Sequence, residues 1–238
     1  MSKELFKKSL KVETFLELRD LAVSYFGQFG ATKLSYHHCP PLGAIDYEPR
    51  ITVTTYGYPD KWVKTYIENA FYTRDPISSY AVIAIRPFRW QEIDKYVEVT
   101  AAEQEFLDVL AKQNLGDGLV VPLFGPRGRN GYTSLGFADA ECPTDPYEQR
   151  RLQEAAQNLH LRYCELLQAS MPAPPELSQQ ERATLKLVAR GHTNTSIAEL
   201  MGVRPKTVAT YLDRSFSKLG VNDRMTAALR ALSTGLLD

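Results

Sequence analysis

Apolar residues recur at two different periods along this chain, and the places where the period changes divide it into elements. Phe15, Leu18, Leu21, Ala22, Tyr25 and Phe29 repeat every three to four residues, which predicts an amphipathic helix ended by Gly30. Residues 34–38 and 51–55 alternate apolar and polar positions as half-buried strands do, with Pro40, Pro41 and Gly43 in the loop between them. A helix over 61–70 follows the turn at Tyr58-Pro59, and Pro76 opens a shorter helical stretch that Pro87 ends. Thr100 and Glu103 fit a capping box ahead of a helix carrying Phe106, Val109 and Leu110. Two more strands, 119–124 and 132–137, flank the turn at 125–128. After Asp145-Pro146 comes a long helix with Leu152, Ala156, Leu159, Tyr163 and Leu166 on one face. The run Met171-Pro172-Ala173-Pro174-Pro175 then reads as a semi-rigid linker. This mixture predicts an α+β fold, an α-β-α sandwich over residues 1–170, followed by a linker at 171–176 and a second domain at 177–238.

The second domain reads as four short helices. Ser178 and Glu181 form another capping box, Leu185 and Val188 lie on one helical side, and Gly191 fits the C′ position where a positive φ is needed. Thr193 caps a second helix with Ile197, Ala198 and Leu200 facing inward. Gly202-Val203 turns the chain, and Pro205 fits the first turn of a third helix. On that helix Val208, Leu212, Ser215 and Leu219 make an inward stripe, while Lys206, Ala209, Thr210, Asp213, Arg214 and Ser217 lie opposite. A last helix falls within 222–236, with Ala227, Ala228, Ala231 and Leu232 offering a small apolar surface to a symmetry mate. Two readings fit this spacing: a helix-turn-helix that presents its third helix to DNA, and a plain helical bundle with a solvated face.

The residues themselves favour the first reading. The pattern L-S-x-x-E-x-x-x-L-x-x-x-A-x-G-x-T, then I-A, T-V and K-L-G-V, resembles the DNA-binding domain of LuxR-type regulators, with Glu181, Leu185 and Gly191 at the family's typical positions. Three positions depart from it. Ser196 stands where the family usually has Glu, and Tyr211 and Arg214 stand where it usually has His and Asn. The last two lie on or beside the DNA-facing side and leave the operator sequence open. The resemblance implies double-stranded DNA as a partner, contacted through Lys206, Thr207, Thr210, Tyr211, Asp213, Arg214 and Lys218, and RNA polymerase as a further partner.

Composition changes this picture little. The 238 residues, 44% apolar and 24% charged, suit ordinary globular cores. Lys/Arg and Asp/Glu balance at 28 each, but from Glu176 onward there are nine basic against six acidic residues, leaving 19 against 22 before it. The balance is thus mildly basic where DNA would bind, too small to argue binding by itself. Cys39, Cys142 and Cys164 have no metal or CxxC spacing and read as reduced, buried thiols of a cytoplasmic protein. No apolar run is long enough to span a bilayer, and the N-terminus has no signal-peptide core.

In the first domain no catalytic constellation emerges. His37, His38 and His160 lie near no nucleophile motif, and neighbours in a strand point to opposite faces, which argues against joint metal ligation by His37 and His38. Tyr58, Trp62, Tyr66, Asp75-Pro76 and Trp90 stand out instead. An aromatic stripe of this kind is often plain core, yet two Tyr hydroxyls, an indole N–H and a carboxylate all need partners when buried, as in a small-ligand pocket.

The order Y-P-x-x-W-x-x-x-Y…D-P…W, followed by Gly118 and the G-x-x-S of Gly131 to Ser134, resembles the autoinducer-binding domain of LuxR-type quorum-sensing receptors. The resemblance implies an N-acyl-homoserine lactone as effector, no cofactor, and a homodimer. It implies Trp62 as donor to the lactone carbonyl, Asp75 as acceptor for the ligand amide N–H, Tyr58 and Ser134 as donors to the acyl carbonyl, and Tyr66 and Trp90 as walls. Ile77 and Val120 stand where some relatives have Thr, so a 3-oxo or 3-hydroxy group finds fewer evident partners. Two rival readings are an orphan regulator answering another signal or none, and an enzyme acting on lactones with Asp75 as base. The second lacks any metal cluster or activated nucleophile in the sequence. A response-regulator receiver domain is excluded by the missing alternation of parallel strands and helices.

Overall fold

The computed structural model of the protein describes residues 3–47, 52–138 and 141–237. Ile51, expected to begin the second strand, lies outside them. By its contacts the chain divides into two compact units, Met1–Cys39 with Arg50–Ser170, and Pro40–Pro49 with Met171–Asp238.

Five strands, β1 (Lys33–Cys39), β2 (Thr52–Tyr56), β3 (Phe88–Arg89), β4 (Asp117–Leu123) and β5 (Asn130–Phe137), form one antiparallel sheet in the order β2-β1-β5-β4-β3. Period-two alternation sorts its side chains between two helical layers. Leu34 of β1, Leu119, Val121 and Leu123 of β4, and Leu135 and Phe137 of β5 build a core with α1 (Lys3–Ser9), α2 (Phe15–Gly27) and α6 (Pro146–Ser170). On the other face Val120 and Tyr132 meet α4 (Pro76–Ala81), while α3 (Asp60–Glu68) and α5 (Ala101–Ala111) close a second aromatic cluster around Trp62, Phe71 and Phe106. This is the α-β-α sandwich that the alternating pattern predicts. Capping boxes start α2 at Thr14 and Glu17 and α5 at Thr100 and Glu103.

Helix α1, strand β3 and the 3-10 turns over Trp90–Lys95 go beyond the sequence reading. Helix α1 is mostly charged and buries only Leu5 and Ser9. Two residues of β3 are too few to carry a period.

The second unit packs α7 (Gln179–Ala189), α8 (Asn194–Met201), α9 (Pro205–Leu219) and α10 (Arg224–Ser233) around Leu185, Ile197, Val208, Leu212 and Leu219. The expected caps are present: Ser178 and Glu181 bond reciprocally, and Thr193 accepts from the Ser196 N–H. Gly191 has φ +86°, and His192 N–H donates to Leu187 C=O, closing a Schellman turn. Two expectations need correcting. Leu200 is 60% exposed, because α8 centres its inward arc on Ile197, Ala198 and Met201 and turns Leu200 roughly a quarter-turn away. Ala227, Ala228 and Ala231 are buried in this unit's own core, so only Leu232 of that set stays outward.

Candidate functional site

Ser35 and His37 lie on the face of β1 opposite Leu34 and Tyr36, and β5 presents Tyr132 and Ser134 beside them in register. Helix α3 stands over this face. Its sequence alternates exposed Asp60, Lys61 and Glu68 with Trp62 and Tyr66, which turn inward. Together with α4, α5 and Trp90 they enclose a cavity of about 110 Å³. All six residues singled out in the sequence, Tyr58, Trp62, Tyr66, Asp75, Trp90 and Ser134, line it. So do Ser35, His37, Ser78, Tyr132 and Phe106, which the sequence reading did not place in the pocket.

Asp75 is the polar centre. It is the N-cap of α4, where Pro76 supplies a preset φ, and its Oδ1 accepts the N–H groups of Ile77 at 2.9 Å and Ser78 at 3.3 Å. Oδ2 accepts the hydroxyls of Tyr66 at 2.8 Å and Ser78 at 2.7 Å. Burial pushes the carboxyl pKa up, against the pull of those four donors. A carboxylate has about four acceptor sites, so an arriving N–H must share Oδ2 or displace one hydroxyl from it.

A second polar group sits on the sheet. Trp90 Nε1 donates to Ser134 Oγ at 2.8 Å, and the hydroxyls of Ser35 and Ser134 lie near that of Tyr58 and pull its pKa down against the rise from burial. The ring of Trp90 reaches this position because residue 118 is glycine: a Cβ there would overlap the indole. Burial raises the pKa of Tyr58, Tyr66 and Tyr132, so all three keep their protons as donors. The site therefore offers one acceptor cluster, one donor cluster and aromatic walls within an otherwise apolar cavity. That combination has the chemistry of a small-molecule site.

In the second unit α9 keeps Val208, Leu212, Ser215 and Leu219 buried and leaves Lys206, Thr210, Asp213 and Arg214 exposed, with Thr207 and Tyr211 half-buried at the edges of that face. Lys218 lies on the same helix, but its Nζ is 2.7 Å from Glu181 Oε2. It ties α9 to the start of α7.

Comparison with known proteins matches both units. The family model of the autoinducer binding domain covers residues 15–163, and that of bacterial regulatory proteins of the luxR family covers 175–231. A Sinorhizobium fredii protein named as an HTH-type transcriptional regulator, y4qH, is 30% identical over 185 residues, 76% of this chain and 56% of that protein. The chain thus spans little more than half of that relative's length. The transcriptional activator protein AnoR of Acinetobacter nosocomialis is 26% identical over 98% of both chains. Escherichia coli SdiA shares the fold, with a TM-score of 0.77 at 19% identity over 99% of this chain and 97% of that one. SdiA in complex with octanoyl-rac-glycerol gives 0.76 at 20% identity, over 99% and 94%. With an autoinducer-binding domain followed by a luxR-family helix-turn-helix, the chain is a non-enzymatic regulator that belongs to the LuxR-type family of quorum-sensing transcription factors.

Proposed function

We propose that the effector is an N-acyl-homoserine lactone and that it binds in the cavity between the sheet and α3, α4 and α5. The observation that carries this reading is the pairing of Asp75 with the Tyr58–Ser134–Trp90 group across one apolar cavity. A secondary amide has one donor and one acceptor, and each would cost about 1–3 kcal/mol if buried unpaired. Asp75 takes the amide N–H, sharing Oδ2 with Tyr66 and Ser78. Tyr58 and Ser134 donate to the acyl carbonyl, Trp62 donates to the lactone carbonyl, and Tyr66 and Trp90 wall the ring.

The DNA-binding form is a cytoplasmic homodimer. It reads an inverted-repeat operator through Lys206, Thr207, Thr210, Tyr211, Asp213 and Arg214 of α9, with Lys218 reaching phosphate only if it leaves Glu181. RNA polymerase is its further partner.

A second reading has one observation in its favour. The SdiA complex holds octanoyl-rac-glycerol, an acylated head without an amide, and Asp75 here is already satisfied by protein donors. One experiment separates the two. The protein is expressed with and without a panel of acyl-homoserine lactones, small molecules are extracted for mass spectrometry, and thermal melts are run with each lactone and with octanoyl-rac-glycerol. A lactone at a hundredfold excess over its dissociation constant should stabilise the protein by about 2.7 kcal/mol. Melts moved by the glycerol ester and by no lactone would replace the first reading with the second.

A further inference from the structure

A second cavity lies across the sheet from the first. Alternation along β1 sends Ser35 and His37 to one side and Leu34 and Tyr36 to the other, where α2 and α6 cover the sheet. Between those helices and the sheet is a cavity of about 80 Å³, against about 110 Å³ for the first, and the two share no lining residue. Ala22 of α2 and Ala156 of α6 line it, and their small side chains leave the space. Close-packed interiors hold few voids larger than a water molecule, and an apolar one stays dry and takes up apolar molecules.

The wall of this cavity is neutral. The Tyr36 hydroxyl is 2.8 Å from His160 Nδ1, His160 Nε2 is 2.9 Å from the Arg129 carbonyl oxygen, and the Thr133 hydroxyl donates to Ser35 C=O at 2.8 Å. Burial pushes the His160 pKa down to about 4 and the Tyr36 pKa up, so both rings are uncharged at neutral pH. A molecule inside would meet apolar surface and polar groups that already have partners.

The mouth is charged. Arg19 lines the cavity with its side chain 35% exposed, and Phe15, one helical turn before it, is 43% exposed, so solvent reaches the cavity past these two residues. Arg19 Nε and one Nη both donate to a single oxygen, Oδ1 of the neighbouring Asp20, at 3.0 and 2.7 Å. The Asp20 side chain is 61% exposed. A surface pair of this kind contributes little. The guanidinium can therefore turn to a carboxylate at the mouth and hold it with two parallel hydrogen bonds.

We propose that this cavity is a second binding site, for a straight-chain carboxylate of the fatty-acid class. The chain lies between the sheet, α2 and α6, and the carboxylate sits on Arg19. The site is independent of the molecule that fills the first cavity.

Isothermal titration of the full-length protein with octanoate and with octan-1-ol reads the affinity, and crystals grown with 8-bromooctanoate place the ligand by the anomalous scattering of bromine. Octanoate should bind at least about fivefold more tightly than octan-1-ol, the share of a part-exposed charge-assisted contact. Arg19→Gln should remove that difference, and Ala22→Leu, which fills the cavity, should weaken both ligands. The bromine should lie between the sheet, α2 and α6. Equal binding of acid and alcohol by the native protein, or a preference for the acid that survives in Arg19→Gln, would overturn the carboxylate assignment. Native octanoate binding by a folded Ala22→Leu would overturn the site. So would bromine found only on the α3 side of the sheet or nowhere, or no heat at millimolar octanoate, whether or not that variant folds.

Discussion

Asp75 caps α4 and, on the proposed reading, would also receive the ligand amide, and these two roles can be pulled apart. As the N-cap of α4 it needs only an acceptor for the N–H groups of Ile77 and Ser78, which Asn also supplies. As receptor for an amide N–H it has to remain acceptor-only. Asp75→Asn should therefore fold normally and lose at least tenfold in response, about 1.4 kcal/mol. Asp75→Ala should in addition lose about 1 kcal/mol of stability with the cap. An Asp75→Asn dose response equal to that of the native protein would remove the residue from the amide role. The buried histidines make a separate prediction. Burial pushes His37 down to about 3 and His160 to about 4, from an ordinary value of 6.5. Below 6.5 the unfolded chain takes up protons that the folded one refuses. The stability these two neutral rings maintain is thus complete above that value and is lost as pH falls towards 4, by up to about 1.4 kcal/mol per pH unit for each ring. Denaturant melts from pH 7 to 5 on His160→Phe and the native protein check this: the variant should show the shallower slope. Little of this scale was legible in the sequence. That Ser35 and His37 share a face follows from strand alternation, but the pairing of that face with Tyr132 and Ser134 depends on a partner strand about a hundred residues away.

Elements were legible where a period or a cap persists. Helix α6 carries its apolar face over 25 residues, and Ser178 with Glu181 marks the start of α7 within four. Where the signal is too short or the face too polar, as in β3 and α1, only the packing of neighbours forms the element. Leu200 and the alanines of α10 show the complementary error: apolar identity indicates burial, but which helical arc is buried depends on where the neighbouring helices lie. The capping box of α7 is also a joint, since Glu181 Oε2 accepts from Ser178 N at 2.8 Å and from Lys218 Nζ at 2.7 Å. Ser178→Ala should cost about 1 kcal/mol. Glu181→Ala should cost more, because Glu181 is buried and its removal frees both the Ser178 N–H and the end of α9. Urea titrations of the two variants decide. Equal losses would mean that the half-exposed Lys218 contributes nothing to the hold on α9, the usual worth of a surface pair.

At the scale of the whole molecule, the proposed dimer is the arrangement that would read an operator with two-fold symmetry. With the α10 alanines consumed in their own core, Met225 and Leu232 of α10 and Tyr147 and Leu161 of α6 are among the apolar residues left outward. A monomer in sedimentation at micromolar concentration, with and without ligand and DNA, would end the dimer reading. If the dimer holds, its two α9 helices enter successive major grooves about one helical turn apart, and the operator is an inverted repeat. Lys206 lies at the start of α9 and Arg214 more than two turns later, both exposed. Arg can grip O6 and N7 of guanine with two hydrogen bonds, while Lys meets phosphate as a point charge. Arg214→Ala should therefore lose about 1–3 kcal/mol on operator DNA and relax the preference for it over scrambled sequence. Lys206→Ala should weaken both DNAs alike and lower the salt slope by about one. Competition binding at several fixed salt concentrations reads both effects. Two variants that keep the native affinity, salt slope and operator-to-scrambled ratio would show that another face of the second unit reads the DNA.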